Sequence, residues 1–218
     1  KEEGRADWKM KRMEFDEFYR TEDPWRIKEN RFEKRRAKII AQSILKYIIY
    51  FEKIFDSDSY LSILDIGGGE GTLTQWIVED LGKELRRKLL ITNLDISITA
   101  LKRAKSKKLY HGLIRGDCTM LPFQGDTFDL VLALEILYYL ENYKLALKEI
   151  RRVLKNNGWF IASVALGKDY LDWNKFKKDI ANYFNIVESK IQRYPLWFLR
   201  RHHFGKDIIF ARKGELDE

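Results

Sequence analysis

Short apolar runs alternate with helical patterns along much of this chain, and the alternation restricts the folds open to it more than any other feature. Five runs between residues 61 and 164 have the length and composition of buried parallel strands, and helical periodicities separate them. This pattern is typical of an α/β fold in which helices cover a parallel sheet. We predict strands at residues 61–66, 88–94, 112–115, 128–134 and 158–164, with two closing strands at 186–191 and 207–211.

The segment before the first strand has a different character. It is dense in charged and aromatic side chains, with a turn signal at residues 22–25, and from Phe32 apolar side chains recur at helical spacing to about Phe55. We therefore expect an N-terminal helical cap at residues 1–56 and one compact domain at 57–218. Further helices are predicted at residues 73–85, 98–107, 143–154 and 170–184.

Composition narrows the class and location of the protein. The chain has 218 residues and one cysteine, Cys118, which excludes an internal disulfide framework and zinc sites with paired thiolates. It contains no signal-peptide pattern and no apolar run near the roughly 18 residues that span a bilayer, so we expect a cytoplasmic protein without transmembrane segments. The net charge of +8 favours anionic partners, although a well-solvated basic surface would explain it too.

The first predicted strand runs directly into a glycine cluster. Residues 62–72 read SILDIGGGEGT, a strand, a turn and a helix start, which is where α/β sheets bind ligands. Dinucleotide-binding turns are spaced GxGxxG, whereas Gly67, Gly69 and Gly71 are spaced GxGxG, and no Lys-Ser/Thr pair closes a phosphate-binding loop. Asp65 before the first glycine is typical of a turn that binds S-adenosylmethionine. A glycine-rich turn that binds nothing is the alternative.

Acidic residues follow the next two predicted strands. Asp95 ends the second strand, where a carboxylate can accept hydrogen bonds from both ribose hydroxyls. Asp117 follows the third, where it can accept from an adenine amino group while the backbone amide of Cys118 donates to the ring. Each acid alone would also suit a helix cap or a turn. Their joint arrangement favours a nucleoside site.

Together these residues resemble the motifs of the class I S-adenosylmethionine-dependent methyltransferases over roughly residues 61–164. The resemblance implies a Rossmann-like sheet of seven strands in the order 3-2-1-4-5-7-6, with the last strand antiparallel. It also implies that S-adenosyl-L-methionine, or its product S-adenosyl-L-homocysteine, lies over the carboxyl ends of strands 1 and 2. The cofactor contacts implied are Asp65, Gly67, Gly69 and Gly71 on the methionine side, Asp95 on the ribose, Ile96 next in sequence, Asp117 with Cys118 on the adenine, and Glu135 after the fourth strand.

Three shorter stretches are similar to the nodulation-type chitooligosaccharide N-methyltransferases and their relatives. They are DPW at residues 23–25, FEKRR at residues 32–36 and EILYYL at residues 135–140. In that group the first two lie over the cofactor and the third enters the acceptor cleft. Here Phe32 replaces the usual tyrosine and Arg36 the usual lysine.

This second resemblance implies roles for two more residues. Trp25 would cover the cofactor, and Arg35 would pair with its methionine carboxylate through a charge-assisted fork. A core anchor for Trp25 and a solvated helix face for Arg35 are the alternatives.

The stretch after the fourth strand supplies the candidates for catalysis. Methyl transfer mainly requires an aligned nucleophile, and an amine or hydroxyl acceptor must also lose a proton. Glu135 is the first candidate for the proton acceptor, and Tyr138 and Tyr139 would orient the acceptor unless they simply pack in the core. His202 or His203 is a further conceivable base, on a loop at residues 194–203 that also suits a hairpin connection or a homo-oligomer contact. We find no set of ligands for a divalent metal and expect none.

These observations predict an enzyme that methylates a small molecule, with an amine or hydroxyl of a sugar or saccharide preferred as acceptor. Two alternatives stay open. An RNA methyltransferase would explain the net charge and the basic helix from Arg31. A non-catalytic partner subunit would keep the fold and the cofactor pocket.

Overall fold

The computed structural model describes residues 12–48, 60–166, 172–193 and 205–214. Its helices are α1 (Arg12–Phe18), α2 (Arg31–Ile48), α3 (Thr72–Leu81), α4 (Lys83–Arg86), α5 (Ile98–Ser106), α6 (Tyr143–Val153) and α7 (Trp173–Ala181). Its strands are β1 (Leu61–Ile66), β2 (Leu89–Asp95), β3 (Gly112–Arg115), β4 (Phe128–Leu134), β5 (Leu154–Leu166), β6 (Asn185–Arg193) and β7 (Gly205–Arg212). A 3₁₀ turn at Leu137–Tyr139 follows β4.

The strands of the described residues form one sheet in the order β3-β2-β1-β4-β5-β7-β6. Pairing is parallel from β3 through to β5, and β7 runs antiparallel to both β5 and β6. The predicted strand order and the antiparallel last strand are confirmed. In such a sheet the connections leave β1 and β4 in opposite directions along the sheet. The carboxyl ends of β1, β2 and β4 therefore border a crevice.

Alternate side chains of the central strands pack on opposite faces of the sheet. In β1, Leu64 and Ile66 belong to the core that α6 and α7 cover, whereas Leu61 and Ile63 belong to the core that α2 and α3 cover. Successive residues of a strand point to opposite faces, and here both faces are covered. This is why the central strands are almost continuously apolar.

Helix α2 is part of one of these cores. Ala37, Ile40 and Ile44 recur at helical spacing, and each is at most 3% exposed. The predicted continuation of this helix to Phe55, like the predicted boundary after residue 56, lies outside the described residues. The division into a cap and a domain therefore stays a prediction.

Several predicted elements have different bounds in the structure, and two of the differences have an identifiable physical cause. The helix predicted at residues 73–85 is divided at Gly82, whose φ of 89° ends α3 before α4 begins. Strand β5 begins at Leu154 and not at residue 158, because Leu154 pairs with Phe128 before an irregularity in the β4–β5 register. Neither difference moves the carboxyl end of the sheet.

Candidate functional site

The connection between β1 and α3 is a turn built from glycines. Gly67, Gly69 and Gly71 have φ values of 66°, 55° and 75°, in the left-handed region that glycine adopts without a steric penalty. At Gly69 a Cβ atom would lie 2.4 Å from the hydroxyl oxygen of Tyr19. Glycine is therefore needed at this position both for the backbone angle and for the close approach of the segment that follows α1.

Asp65 connects this turn to neighbouring elements. Its fully buried carboxylate accepts hydrogen bonds through Oδ2 from the hydroxyls of Thr74 (2.7 Å) and Tyr110 (2.8 Å). Burial raises the pKa of Asp65, and the two hydrogen bonds partly offset that effect. The side chain therefore holds the turn against α3 and against the segment before β3.

Asp95, the last residue of β2, also contacts the glycine turn. Its two carboxylate oxygens accept from the backbone amides of Gly69 (2.9 Å) and Ser97 (2.8 Å). Burial raises the pKa of Asp95 to about 6, although the same two amides lower it and the nearby carboxylates of Asp65 and Asp16 raise it further. Each oxygen retains a second lone pair, so this carboxylate can accept from a ligand as well.

The segment after β3 forms a tight turn. Oδ1 of Asp117 accepts from the backbone amide (2.8 Å) and the hydroxyl (2.7 Å) of Thr119, so Asp117 does serve as a turn former. Cys118 is buried, and burial, followed by the charge of Asp117, raises its thiol pKa to about 12. This thiol is therefore a packing group and not a nucleophile.

These elements border one cavity of about 940 Å³, a volume within the range of small-molecule sites. It lies at the carboxyl end of the sheet, as the topology predicts. The predicted site residues that line it are Trp25, Asp65, Gly67, Gly69, Gly71, Asp95, Ile96, Asp117, Cys118, Glu135, Tyr138 and Tyr139.

Four aromatic side chains lie together beside this cavity, and we call them the aromatic cover: Phe18, Tyr19, Trp25 and Tyr139. The indole Nε1 of Trp25 donates to the hydroxyl of Tyr19 at 2.9 Å, and its ring centroid lies 4.5 Å from Phe18 and 5.8 Å from Tyr139. Trp25 is 37% exposed, whereas Tyr19 is buried. Trp25 thus lines the cavity while part of its ring remains exposed, and its contacts anchor the N-terminal segment.

Polar contacts hold α1 in place beside the cavity. Asp16 accepts from the hydroxyl of Ser97 at 2.7 Å and pairs with Arg115 at 3.0 Å. Beyond the helix, the guanidinium of Arg103 donates to the backbone carbonyls of Arg20 (2.8 Å) and Thr21 (2.6 Å). These contacts connect the aromatic cover to α5 and β3.

Four charged side chains form a cluster on the wall of the cavity, namely Glu33, Arg36, Glu135 and Lys206. Arg36 pairs with Glu33 one helical turn away and, at 2.7 Å, with Glu135. The ammonium of Lys206 lies 2.7 Å from Glu33 and 3.3 Å from Glu135. Burial alone would raise the pKa of Glu33, but Arg36 and Lys206 more than offset it and lower that pKa to about 2. The cluster carries two charges of each sign.

Glu135 is the centre of this cluster. Its backbone is in the left-handed region with φ of 63°, directly after β4. Besides its two cations, it accepts from the hydroxyl of Ser163 at 2.9 Å through Oε1 and from that of Tyr138 at 2.9 Å through Oε2. Burial, and then the charge of Glu135, raises the pKa of Tyr138 well above its ordinary value, so this phenol acts as a hydrogen-bond donor.

Arg35 is the predicted site residue that the structure places elsewhere. It is exposed on α2 and does not line the cavity, whereas Arg36, one residue later, is 2% exposed and does. Consecutive residues of a helix are about 100° apart around its axis, so only one of them faces the sheet. The alternative reading of Arg35, a solvated helix face, describes its position.

Sequence reasoning missed several cavity residues. Lys206 reaches the cavity from β7, and no motif marks it. Tyr110, which contacts Asp65 from the segment before β3 without lining the cavity, is unmarked as well. Glu33 could have been found, since Glu33 and Arg36 are spaced i and i+3 and would meet on one helix face. His202 and His203, with the loop at residues 194–203, lie outside the described residues.

The described residues contain neither a candidate metal cluster nor a helix that could span a membrane. Within these ranges no three His, Cys, Asp or Glu side chains are grouped so as to hold a metal ion. No helix in the part of the chain that the structure describes is long and apolar enough to cross a bilayer.

Comparison with known sequences identifies a domain and several relatives. Residues 64–162 match the family model described as a methyltransferase domain. An uncharacterized protein of Methanocaldococcus jannaschii is 35% identical over 148 residues, which are 68% of this chain and 58% of that protein. The mitochondrial arginine-hydroxylase NDUFAF5 of Danio rerio is 31% identical over 147 residues, 62% of this chain and 44% of that protein. The chain thus spans about half the length of these curated relatives.

Comparison with solved structures supports the fold. The N-methyltransferase NodS of Bradyrhizobium japonicum, solved in complex with S-adenosyl-L-homocysteine, superposes with a TM-score of 0.69. The match covers 93% of this chain and 98% of NodS at 19% sequence identity. At this level of identity the similarity concerns the fold.

Proposed function

We propose that the protein transfers a methyl group from S-adenosylmethionine to a small molecule, because residues 64–162 match the methyltransferase domain family and the sheet has the strand order of the class I S-adenosylmethionine-dependent methyltransferase fold. We further propose that the acceptor is an amine or hydroxyl of a sugar or saccharide. The observation that carries the proposal is the cavity in which the glycine turn, Asp95 and Asp117 meet a cluster of paired charges.

The residues around the glycine turn suit S-adenosylmethionine. The backbone of Gly67, Gly69 and Gly71 allows close approach to the amino-acid end, Asp95 has acceptor capacity left for the ribose hydroxyls, and Asp117 with the amide of Cys118 would hold the adenine. When bound, the cofactor supplies a methyl group on a positively charged sulfur, which is already an activated leaving group. The remaining tasks of the protein are to position the acceptor, exclude water and accept a proton.

The charge cluster and the aromatic cover favour a polar, uncharged acceptor. Glu33 and Glu135 are paired with Arg36 and Lys206, so this wall offers hydrogen-bond donors and acceptors without a net charge. Tyr139, at the edge of the cavity, adds a flat aromatic surface. A saccharide has both features, since its hydroxyl and amino groups need polar partners and the faces of its rings are apolar.

The contacts of Glu135 indicate how it would accept a proton. Of its four partners, Lys206 at 3.3 Å is the most distant, while Arg36, Ser163 and Tyr138 lie within 2.9 Å. An acceptor N–H or O–H that takes the place of Lys206 would donate to Oε2 and lose its proton there as the nucleophile attacks. The other three partners would hold the carboxylate in position.

One of the relatives, the arginine-hydroxylase, contains a similar domain but is named for a different activity. Because one fold can carry different reactions, methyl transfer by this protein must be measured directly. The RNA methyltransferase and the non-catalytic subunit also remain as alternatives. The cluster of paired charges argues against a polyanionic acceptor in this cavity.

The first experiment is calorimetric titration of the purified protein with S-adenosylhomocysteine and, separately, with NAD. Micromolar affinity for the former alone supports the cofactor assignment, and binding of neither would overturn it. Transfer of labelled methyl groups would then be measured on amino sugars, oligosaccharides, lipid-linked sugars and RNA. Methylation of a saccharide supports the proposal, methylation of RNA alone would replace the proposed acceptor, and cofactor binding without transfer would favour the non-catalytic subunit.

A further inference from the structure

Two short segments of this chain together carry a net charge of +8, equal to that of the whole chain. Residues 83–88 and 102–108 contain nine Lys and Arg residues and one acid, Glu84. The other 205 residues contain 32 basic and 32 acidic side chains, so these thirteen residues account for the whole net charge of +8. We call them the basic patch.

The fold brings the two segments of the basic patch together around a recess of about 440 Å³. Lys83, Arg86, Arg87 and Lys108 all line it. The recess lies at the amino ends of β2 and β3, whereas the cofactor cavity lies at the carboxyl end of the sheet, and the two share no lining residue. The recess is therefore a separate feature from the proposed active site.

The floor of the recess is apolar, and its rim offers a fixed donor. Leu89, Ile91 and Leu109 form the floor and are buried. At the rim, Nδ1 of His111 accepts from the backbone amide of Ile91 at 3.2 Å. Since Nδ1 accepts, the ring nitrogen that can donate to a ligand is Nε2. The recess thus combines cationic side chains with a ring N–H group.

Lys108 is in a backbone conformation that does not favour lysine. It follows the C-terminal end of α5 with φ of 49°, a position at which glycine is the usual residue. A residue with a side chain is strained in the left-handed conformation, whereas glycine is not. The chain nevertheless has a cation at this point, which lines the recess.

We propose that the basic patch binds the phosphodiester backbone of single-stranded RNA, with one phosphate in the recess. The patch extends beyond the recess to the exposed Lys102 and Lys105 on α5, so it offers more cations than one phosphate can neutralise. A phosphate that protrudes from a nucleic-acid strand can enter a recessed site, whereas the flat surface of a bilayer cannot. No Phe, Tyr or Trp side chain lines the recess, and the ring of His111 is held against β2 by its hydrogen bond from Ile91. The proposed contacts are therefore with the backbone and are independent of base sequence.

The test is fluorescence anisotropy with a labelled single-stranded RNA of mixed sequence, titrated with the protein between 50 and 200 mM salt. For about four phosphate contacts the affinity should fall by roughly 50-fold over this range, since each contact on a single strand adds about 0.7 to the log–log slope. Lys108→Gly removes a charge and relieves the backbone strain, so this variant should fold at least as stably while its salt slope decreases by about 0.7. Arg86→Gln should have a similar effect on binding.

The matched control is Lys38→Ala on the exposed face of α2, which should bind RNA as the wild type does. Salt-independent binding, or an equal loss of affinity in the Lys38 control, would overturn the proposal. The proposal would also be overturned if inorganic diphosphate displaced the RNA with an affinity equal to that of the RNA. Binding to anionic phospholipid vesicles without binding to RNA would overturn it as well. Because the assay contains no S-adenosylmethionine, its outcome is independent of the proposed methyl transfer, and titration of each variant with S-adenosylhomocysteine should give wild-type affinity.

Discussion

Replacing Arg36 with methionine tests how much the charge cluster contributes to the free energy of unfolding. Arg36 is 2% exposed and pairs with both Glu33 and Glu135. A carboxyl whose pKa falls from 4.5 to about 2 on folding, as that of Glu33 does, contributes about 3 kcal/mol at pH 7. Removal of one partner from a buried ion pair costs about 3–5 kcal/mol, because the remaining charges stay buried. We expect Arg36→Met to lose about 3–5 kcal/mol at pH 7.

The pH dependence of this loss gives a second check. The folded pKa of Glu33 lies below the unfolded value, so its stabilising contribution is complete above pH 4.5 and is lost as the pH falls towards 2. The difference between the wild type and the variant should therefore shrink by about 2 kcal/mol between pH 7 and pH 3.

The measurement is urea denaturation followed by far-UV circular dichroism, with Arg35→Met as the matched control. Arg35 is the exposed neighbour, and its replacement should change the free energy of unfolding by less than about 0.5 kcal/mol. Equal effects of the two substitutions, or a loss at Arg36 that does not change with pH, would refute the reasoning. An unchanged m value is required for the comparison.

Three further predictions concern the cavity. If the ionised form of Asp95 holds the ribose, the affinity for S-adenosylhomocysteine should fall by up to about tenfold per pH unit below the Asp95 pKa of about 6. Calorimetry should find no such pH dependence in Asp95→Asn. If the affinity of the wild type does not change between pH 5 and pH 7, Asp95 does not bind the ribose. Glu135→Gln should lower turnover at least 100-fold while cofactor affinity stays near that of the wild type, and a wild-type rate would exclude Glu135 as the proton acceptor. Gly69→Ala should weaken cofactor binding and lower the melting temperature, because the alanine Cβ would lie 2.4 Å from the hydroxyl oxygen of Tyr19. The additional substitution Tyr19→Phe removes this contact but leaves the left-handed φ, so it should recover only part of the loss. Full recovery would contradict a role for the backbone angle.

The strands and the glycine turn were predictable because their signals are local. Leu61–Ile66 and Phe128–Leu134 were predicted with their observed bounds, since a buried parallel strand is a short apolar run between turn residues. The end of α3 at Gly82 was missed because the helical pattern continues beyond it. Here the backbone angle of one residue decided the boundary.

The charge cluster was harder to predict because its members are distant in sequence. Glu33 and Arg36 lie on α2, Glu135 follows β4, and Lys206 is on β7. Three of these residues stood in stretches that the sequence had singled out, but Lys206 enters the site only because β7 pairs with β5. The error at Arg35 has the same origin, since the side of α2 that faces the sheet is set by tertiary packing.

The sequence by itself determined the fold class, the glycine turn and the total charge, because each depends on residue type and short-range spacing. The tertiary structure decided which arginine of α2 meets Glu135, which residues share the cavity, and where the charge is concentrated. The net charge of +8 can be counted from the sequence alone. The gathering of Lys83, Arg86, Arg87 and Lys108 around one recess depends on the pairing of β2 with β3, which brings residues 83–88 and 102–108 side by side.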